Sequence, residues 1–425
     1  MKILDVKDYN PISSPSFMFD DEIESQVKAI LKEVFENQDQ ACIDATLKFD
    51  RVKMNSFKMK PEVLKQRFEK ADPALIEALT LAKKRIEAYH AHQVEASWEV
   101  VDEEGVRYGQ KVTPIERVGI YVPGGKASYP STVLMNVIPA QLAKVKEIVI
   151  VSSPNELGEV AESVSVAATL CGISEVYAIG GAQAIGALAF GTKEIKKVDK
   201  IVGPGNAYVA KAKQLVYGHV GIDMIAGPSE VLIVVDESAN PSWVAADMLA
   251  QLEHDTMASA VVLSTNLGVL NQVKEAFEKQ IQTLPRQAIL SQSKENAIGY
   301  LASNQEELID MMNTLASEHL ELHVRNPEAL LQKVKHAGSI FIGSYGAEVF
   351  GDYLAGVNHT LPTSQTARFA SALGVYDFIK RSATLMYPKE TMKKHAPYVN
   401  ALATFEGLSA HGAAAMIRLK EENDE

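Results

Sequence analysis

At 425 residues, 47% hydrophobic and 23% charged, the chain is long enough for two to three domains with sizeable cores. Its formal net charge of -12 argues against nucleic acid or an anionic membrane surface as partner, and no apolar run approaches the roughly 20 residues that span a bilayer. Cys42 and Cys171 are too few for a disulfide framework, and the start MKILDVKDYN carries charges where a signal peptide is apolar, so a cytoplasmic location is expected.

In chain order, residues 1–20 mix Pro, Ser and Asp and read as an N-terminal arm. From Glu22 to about His92 the pattern is helical, with amphipathic stretches such as PALIEALTLAKKRIEAYHAH. Between Arg117 and Asp236 the short apolar runs VGIYV, EIVIV, EVYAI, KIVG and VLIVV alternate with helical segments, as buried parallel strands and their crossovers do. AVVLS, LELHV and SIFIG repeat the theme, interrupted by the loop-like LPRQAILSQSKEN. Beyond about Gly374 the chain reads as mostly helical and ends in LKEENDE. The expectation is an α/β protein of two units with helical extensions at both ends.

Three strand-to-helix junctions carry glycine: Gly124 and Gly125, Gly180 and Gly181, and Gly203 and Gly205. Glycine there lets backbone N–H groups approach a ligand, and a helix N-terminus favours phosphate. Each alone is an ordinary tight turn. Three in one α/β unit point to a nucleotide crevice, although none matches G-x-G-x-x-G and the loops by themselves do not establish NAD.

Polar residues interrupt the pattern in four places. In AADMLAQLEHDT, a helix capped by Asn240 and opened by Pro241, the residues Asp247, Gln251 and His254 follow at i, i+4 and i+7 beside the apolar stripe. His254 is either a solvated helix end or part of a polar group. In LASEHLELHV, Leu320, Leu322 and Val324 alternate with His319, Glu321 and His323, and Glu318 with His319 at the entry is either a general acid–base pair or a solvated junction. EVFGDYLAGVNHTLPTSQTARF gathers Glu348, Asp352, Asn358 and His359, and TFEGLSAHGAAAM sets Glu406 five residues before His411. Gln251, His254, Asp352 and His411 together offer nitrogen and oxygen donors suited to Zn²⁺, but no local spacing supports such a site.

The stretches GIYVPGGKASYPSTVLMNVIPA, GGAQAIGALAFGT, GPGNAYVAKAK, IDMIAGPSEVLI, QLEHD, SEHLEL, GDYLAGVNHTLPT and LSAHGAAA, in that order, resemble histidinol dehydrogenase over nearly the whole chain. The resemblance implies two successive NAD-dependent oxidations, L-histidinol through L-histidinaldehyde to L-histidine, ending histidine biosynthesis. It implies one Zn²⁺ per subunit, held by Gln251, His254, Asp352 and His411, and the acid–base residues Glu318 and His319. Ser229, His359 and Glu406 fall at substrate contacts, together with Gln251, His254, His319, Asp352 and His411. Tyr121, Gln183 and Asn206 fall at NAD contacts. The implied fold has two globular α/β domains with incomplete Rossmann-like parallel sheets. The first is discontinuous, 21–120 and 236–373, the second spans 121–235, and an extension, 374–425, is swapped in a homodimer so that Glu406 and His411 complete the partner's site.

The mechanism that follows has zinc holding the substrate by its imidazole and amino groups, His319 as base in both oxidations, and Glu318 activating water for attack on the aldehyde. Cys42 and Cys171 read as small buried hydrophobes rather than as a thiohemiacetal-forming nucleophile. A zinc hydrolase using Glu318, and a dimeric binding protein without activity, are the competing readings.

Overall fold

The computed structural model describes residues 1–10, 20–124 and 128–420. It separates into two compact units: Met1–Val94 with Ile115–Phe378, and Glu95–Pro114 with the chain from Ile379 onward.

The first unit contains two parallel sheets. The five-stranded sheet runs in the order Val176–Ala178, Glu147–Ser152, Arg117–Val122, Lys200–Val202, Gly221–Ile222. Numbered by their own succession these strands read 3-2-1-4-5, the Rossmann order without its sixth strand. The six-stranded sheet repeats it: Ala297–Leu301, Ser259–Ser264, Glu230–Val235, His319–His323 and Ser339–Ile342 again read 3-2-1-4-5, and Lys2–Asp5 adds a parallel edge strand beside Ala297–Leu301.

Burial explains the apolar runs. Arg117–Val122 is buried at every position, and only the first residue of Glu147–Ser152 is exposed. On the six-stranded sheet, Val231, Ile233 and Val235 pack with Met248 and Leu252 of the helix Pro241–Leu252 on one face, while Leu232, Val234, Leu320 and Leu322 pack with Leu308 and Met312 on the other. The helix termini follow the sequence signals: Asp20 Oδ1 accepts from Ile23 N at 2.9 Å, and Asn240 Oδ1 from Ser242 N at 3.0 Å. Such caps are worth about 1 kcal/mol each.

The strand pairing corrects the expected boundaries. The strand Glu230–Val235, assigned to the segment 121–235, is the central strand of the other sheet. The helices Asp21–Phe49, Pro61–Lys70 and Pro73–Ala91, assigned to the first domain, pack against helices of the five-stranded sheet, since their apolar faces complete that layer. Part of the supposed arm is the edge strand Lys2–Asp5, whose four residues are too few to show periodicity, while residues 11–19 and Gly125 lie outside the described part. LPRQAILSQSKEN contains the helix Gln287–Ser293.

The second unit is an antiparallel sheet in the order Ile379–Met386, Arg107–Pro114, Trp98–Val101, with the helices Lys389–Phe405 and Ser409–Ile417 packed on each other. The strand Ile379–Met386 replaces the helix expected there. Its IKRSATLM exposes seven of eight residues, so neither face has the alternation that announces a strand. Arg381 and Glu95 form a two-pronged ion pair in this unit.

Candidate active site

A cavity of about 1180 Å³ opens between the two sheets of the first unit. The five-stranded sheet meets it with the turns leaving two adjacent strands: Pro123 and Gly124 after Arg117–Val122, and Gly203 to Asn206 after Lys200–Val202. These strands flank the point where the strand order reverses, where ligands bind in open α/β sheets. The six-stranded sheet meets the cavity with its amino ends. Ser229 precedes Glu230–Val235, Glu318 and His319 open His319–His323, and His254 lies between Pro241–Leu252 and Ser259–Ser264. Asp352, from the short helix Glu348–Tyr353, and His359 complete the wall.

Strand alternation sets the chemistry. Leu320 and Leu322 enter one core layer, so His319, Glu321 and His323 share the face of Val231, Ile233 and Val235, beneath Pro241–Leu252. His319 Nδ1 lies 3.2 Å from the carbonyl oxygen of Glu230. A carbonyl only accepts, so Nδ1 carries the hydrogen, and in the neutral ring Nε2 is the basic nitrogen. Nε2 is buried without a hydrogen-bond partner and lies 3.6 Å from Asp352 Oδ1. Glu318 Oε2 accepts from Glu230 N at 2.9 Å and lies 3.7 Å from His319 Nδ1.

The pocket holds more carboxylate than its histidines neutralise. Burial pushes the Glu318 carboxyl up to about 8, against the pull of His319, and pushes Glu230 up to about 7. Burial likewise lifts Glu348 well above the usual carboxylate range, Asp352 adding to the rise. Burial acts against charge on His319 too, but Glu348, Glu318 and Asp352 outweigh it and hold the imidazole well above its ordinary value. His254 and His359 are lowered by burial. His359 donates from Nδ1 to the carbonyl oxygen of Asp352 at 3.1 Å, and its Nε2 lies 3.2 Å from Thr132 Oγ1.

A divalent cation fits this surplus. His319, Glu348 and Asp352 bring one ligand atom each within 4.8 Å of one another, an imidazole-and-carboxylate set that suits Zn²⁺ and its first-row neighbours. Of the ligands expected from sequence, Asp352 belongs to this group and His254 lines the same cavity. Gln251 is fully buried, and its amide, nitrogen turned toward Glu348, donates to the two carboxylate oxygens at 2.6 and 2.9 Å. His411 and Glu406 are exposed residues of the second unit.

The dinucleotide residues divide. Asn206 lines the cavity and caps the helix Ala207–Val216, its Oδ1 accepting from Val209 N at 3.1 Å. Gly203 is gripped on both sides of its Cα: N–H donates to Asp223 Oδ2 at 2.7 Å, and C=O accepts from Lys213 Nζ at 3.0 Å, with Lys213 and Asp223 themselves paired. Its φ of +107° suits glycine, and a Cβ there would run into the carbonyl oxygen of Tyr121. Tyr121 and Gln183 are buried and absent from the cavity lining, the Tyr121 hydroxyl accepting from Gly181 N at 3.1 Å. Both cysteines are buried, and burial pushes their thiols up to about 12, which removes them as nucleophiles near neutrality.

Sequence reasoning left Glu230 and Glu348 without a role. Glu348 stands four residues before Asp352, one helical turn, so a helix through EVFGDY would have placed both on one side. Glu230 gave no such signal, because it reads as the first residue of an apolar strand.

An imidazole set among surplus carboxylates and facing glycine-rich turns of a parallel sheet fits an acid–base enzyme of the nucleotide-binding α/β class. A profile of histidinol dehydrogenase matches residues 16–419. Curated histidinol dehydrogenases are similar over most of both chains. The one from Listeria innocua is 48% identical, covering 95% of this chain and 94% of its own, and the one from Aquifex aeolicus is 50% identical, covering 94% and 93%. The crystal structure of histidinol dehydrogenase from Elizabethkingia anophelis superposes with a TM-score of 0.90 at 39% identity, covering 95% of this chain and 94% of that one. The chain belongs to the histidinol dehydrogenase family, NAD-dependent oxidoreductases of histidine biosynthesis that act on an alcohol and an aldehyde. Among the described residues no helix is long and apolar enough to cross a membrane.

Proposed function

We propose that the cavity oxidises L-histidinol to L-histidine with His319 as the proton acceptor in both oxidations and Glu318 as the base for water between them. The observation that carries this reading is the orientation of His319, whose Nδ1–H is fixed on the Glu230 carbonyl while Nε2 stays free. When bound, NAD⁺ supplies the hydride acceptor and a Zn²⁺ ion in each subunit supplies a Lewis acid that grips the substrate's amine and imidazole. Held beside Asp352, the cation would offset the carboxylate field that raises His319 and would draw the raised Glu318 carboxyl toward its ionised form, leaving both able to accept a proton. His319 then removes the hydroxyl proton as hydride leaves the carbinol carbon. Glu318 takes a proton from water as the water oxygen bonds to the aldehyde carbon, while protonated His319 returns its proton from Nε2 to the carbonyl oxygen, giving a gem-diol and a neutral imidazole. His319 removes a diol proton as the second hydride leaves. A base held in this way contributes roughly 10² to 10⁴ in rate.

Gln251, His254, Asp352 and His411 are the proposed zinc ligands, with Gln251 turning from Glu348 to serve. Ser229, His359 and Glu406 complete the substrate contacts. Tyr121, Gln183 and Asn206 set the cofactor side, the first two by shaping the turns from beneath. A homodimer with an exchanged C-terminal extension is supported by the second unit, where Tyr398, Leu402 and Phe405 form an exposed apolar stripe at i, i+4 and i+7 beside Glu406; its place is the cytoplasm. The expected partner is a second copy, and the substrate is the small molecule alone.

Two assays test the reading. Chelation followed by metal replacement abolishes and restores NADH formation from histidinol. Mixing unfolded His411→Asn and Asp352→Asn chains and refolding them together regains about a quarter of wild-type activity, because each mixed dimer has one intact site. No recovery on mixing would contradict the shared site.

A further inference from the structure

The helix Glu348–Tyr353 carries Glu348 and Asp352, yet it has six residues and no cap of its own: its N-cap residue, Ala347, offers no side-chain acceptor. One and a half turns do not hold a helix in water, so its placement depends on tertiary anchors. Its first N–H has one. Glu348 N donates at 2.7 Å to Oε1 of Glu321, on the strand His319–His323 that pairs with the central strand Glu230–Val235. Glu321 is fully buried, and its other oxygen, Oε2, has no hydrogen-bond partner. His323, two residues on and 1% exposed, places Nε2 at 3.2 Å from that oxygen without the alignment of a hydrogen bond, and Asp247 completes a group whose ligand atoms lie within 4.8 Å. Burying such a cluster is costly unless its members are paired.

We infer that Glu321, oriented by His323 and Asp247, is a positioning residue: its carboxylate serves as the missing cap of Glu348–Tyr353 and thereby fixes Asp352 for the divalent ion. The strand's alternation makes the link. His319 contacts Asp352 directly, and Glu321, on the same face, holds the helix that delivers Asp352. Gln251, one turn beyond Asp247 on Pro241–Leu252, bonds the Glu348 carboxylate; once it turns to the ion, the bond from Glu348 N to Glu321 is the anchor that remains. The inference rests on Asp352 as a metal ligand.

The test is Zn²⁺ affinity measured by competition with a chromogenic chelator, together with thermal melting and separate KM values for histidinol and NAD⁺. Asp352→Asn reports on the ligand reading, and affinity unchanged there would sink that reading and this inference together. Glu321→Ala is expected to bind Zn²⁺ roughly 10- to 100-fold more weakly, with KM for NAD⁺ unchanged. Glu321→Gln keeps an oxygen acceptor for Glu348 N and is expected to stay within about threefold of wild type. His323→Leu falls between them. A Glu321→Ala protein that melts earlier but binds Zn²⁺ as wild type does would overturn the inference alone. Equal losses in Glu321→Gln and Glu321→Ala would also overturn it, as would a second bound Zn²⁺ lost in His323→Leu, which would make the cluster itself a metal site. If Glu321→Ala does not fold, His323→Leu weakened with Glu321→Gln retained supports the inference, and the reverse overturns it.

Discussion

The two sheets share the order 3-2-1-4-5 but turn opposite ends to the same cavity. The five-stranded sheet offers carboxyl ends and works through backbone: glycine turns, a capped helix and the fixed Gly203 peptide. The six-stranded sheet offers amino ends and works through side chains, with Glu318 and His319 opening the strand His319–His323. Backbone turns at the order reversal follow from topology alone. Ionisable groups at the start of a buried strand do not, and they are tolerated because the cluster shares its protons and its hydrogen bonds.

That contrast can be broken at either sheet. The largest effect belongs to His319→Asn, which keeps the ring's hydrogen-bonding breadth but removes the basic nitrogen. Both oxidations should fall by roughly 10² to 10⁴ with KM for NAD⁺ nearly unchanged, read by NADH absorbance on histidinol and on histidinaldehyde. Gly203→Ala should do the opposite. It strains a positive-φ position at a cost of about 1–3 kcal/mol and displaces the turn, raising KM for NAD⁺ more than it lowers kcat, and lowering Tm. If both substitutions moved the same parameter, the division between sheets would be lost.

The smallest effect sharpens the account of the buried cluster. Burial and Glu321 raise Asp247 to about 7 from an ordinary value near 3.8. The folded chain therefore holds a proton that the unfolded chain releases, so this group's contribution is full at low pH and is lost as pH rises toward 7. Asp247→Asn should leave Tm unchanged near pH 4 and raise it at pH 8 by a few degrees, about what 1 kcal/mol produces. A larger gain at the acidic end would reverse the sign.

Four strands of the five-stranded sheet were legible because burial writes a continuous apolar run, whereas Gly221–Ile222, two half-buried residues, was too short to read. The sheet to which Glu230–Val235 belongs was not, since that run looks the same in either sheet and only pairing decides. The exposed strand Ile379–Met386 had no pattern to read. At the site, Glu318, His319, Asp352 and His359 were visible as polar breaks in apolar segments. Glu348 and Glu230 were hidden, because their importance arises from tertiary neighbours: Gln251 and Glu321 for one, the His319 ring and Glu318 for the other.

The division of labour between Glu318 and His319 is tested most directly by single-turnover NADH formation, with enzyme and NAD⁺ in excess over histidinol. Wild type should release two NADH per substrate. Glu318→Gln should form the first at the wild-type rate and the second about a hundredfold more slowly, since only water attack needs that carboxylate. Equal slowing of the two phases, or no slowing of the second, would contradict it.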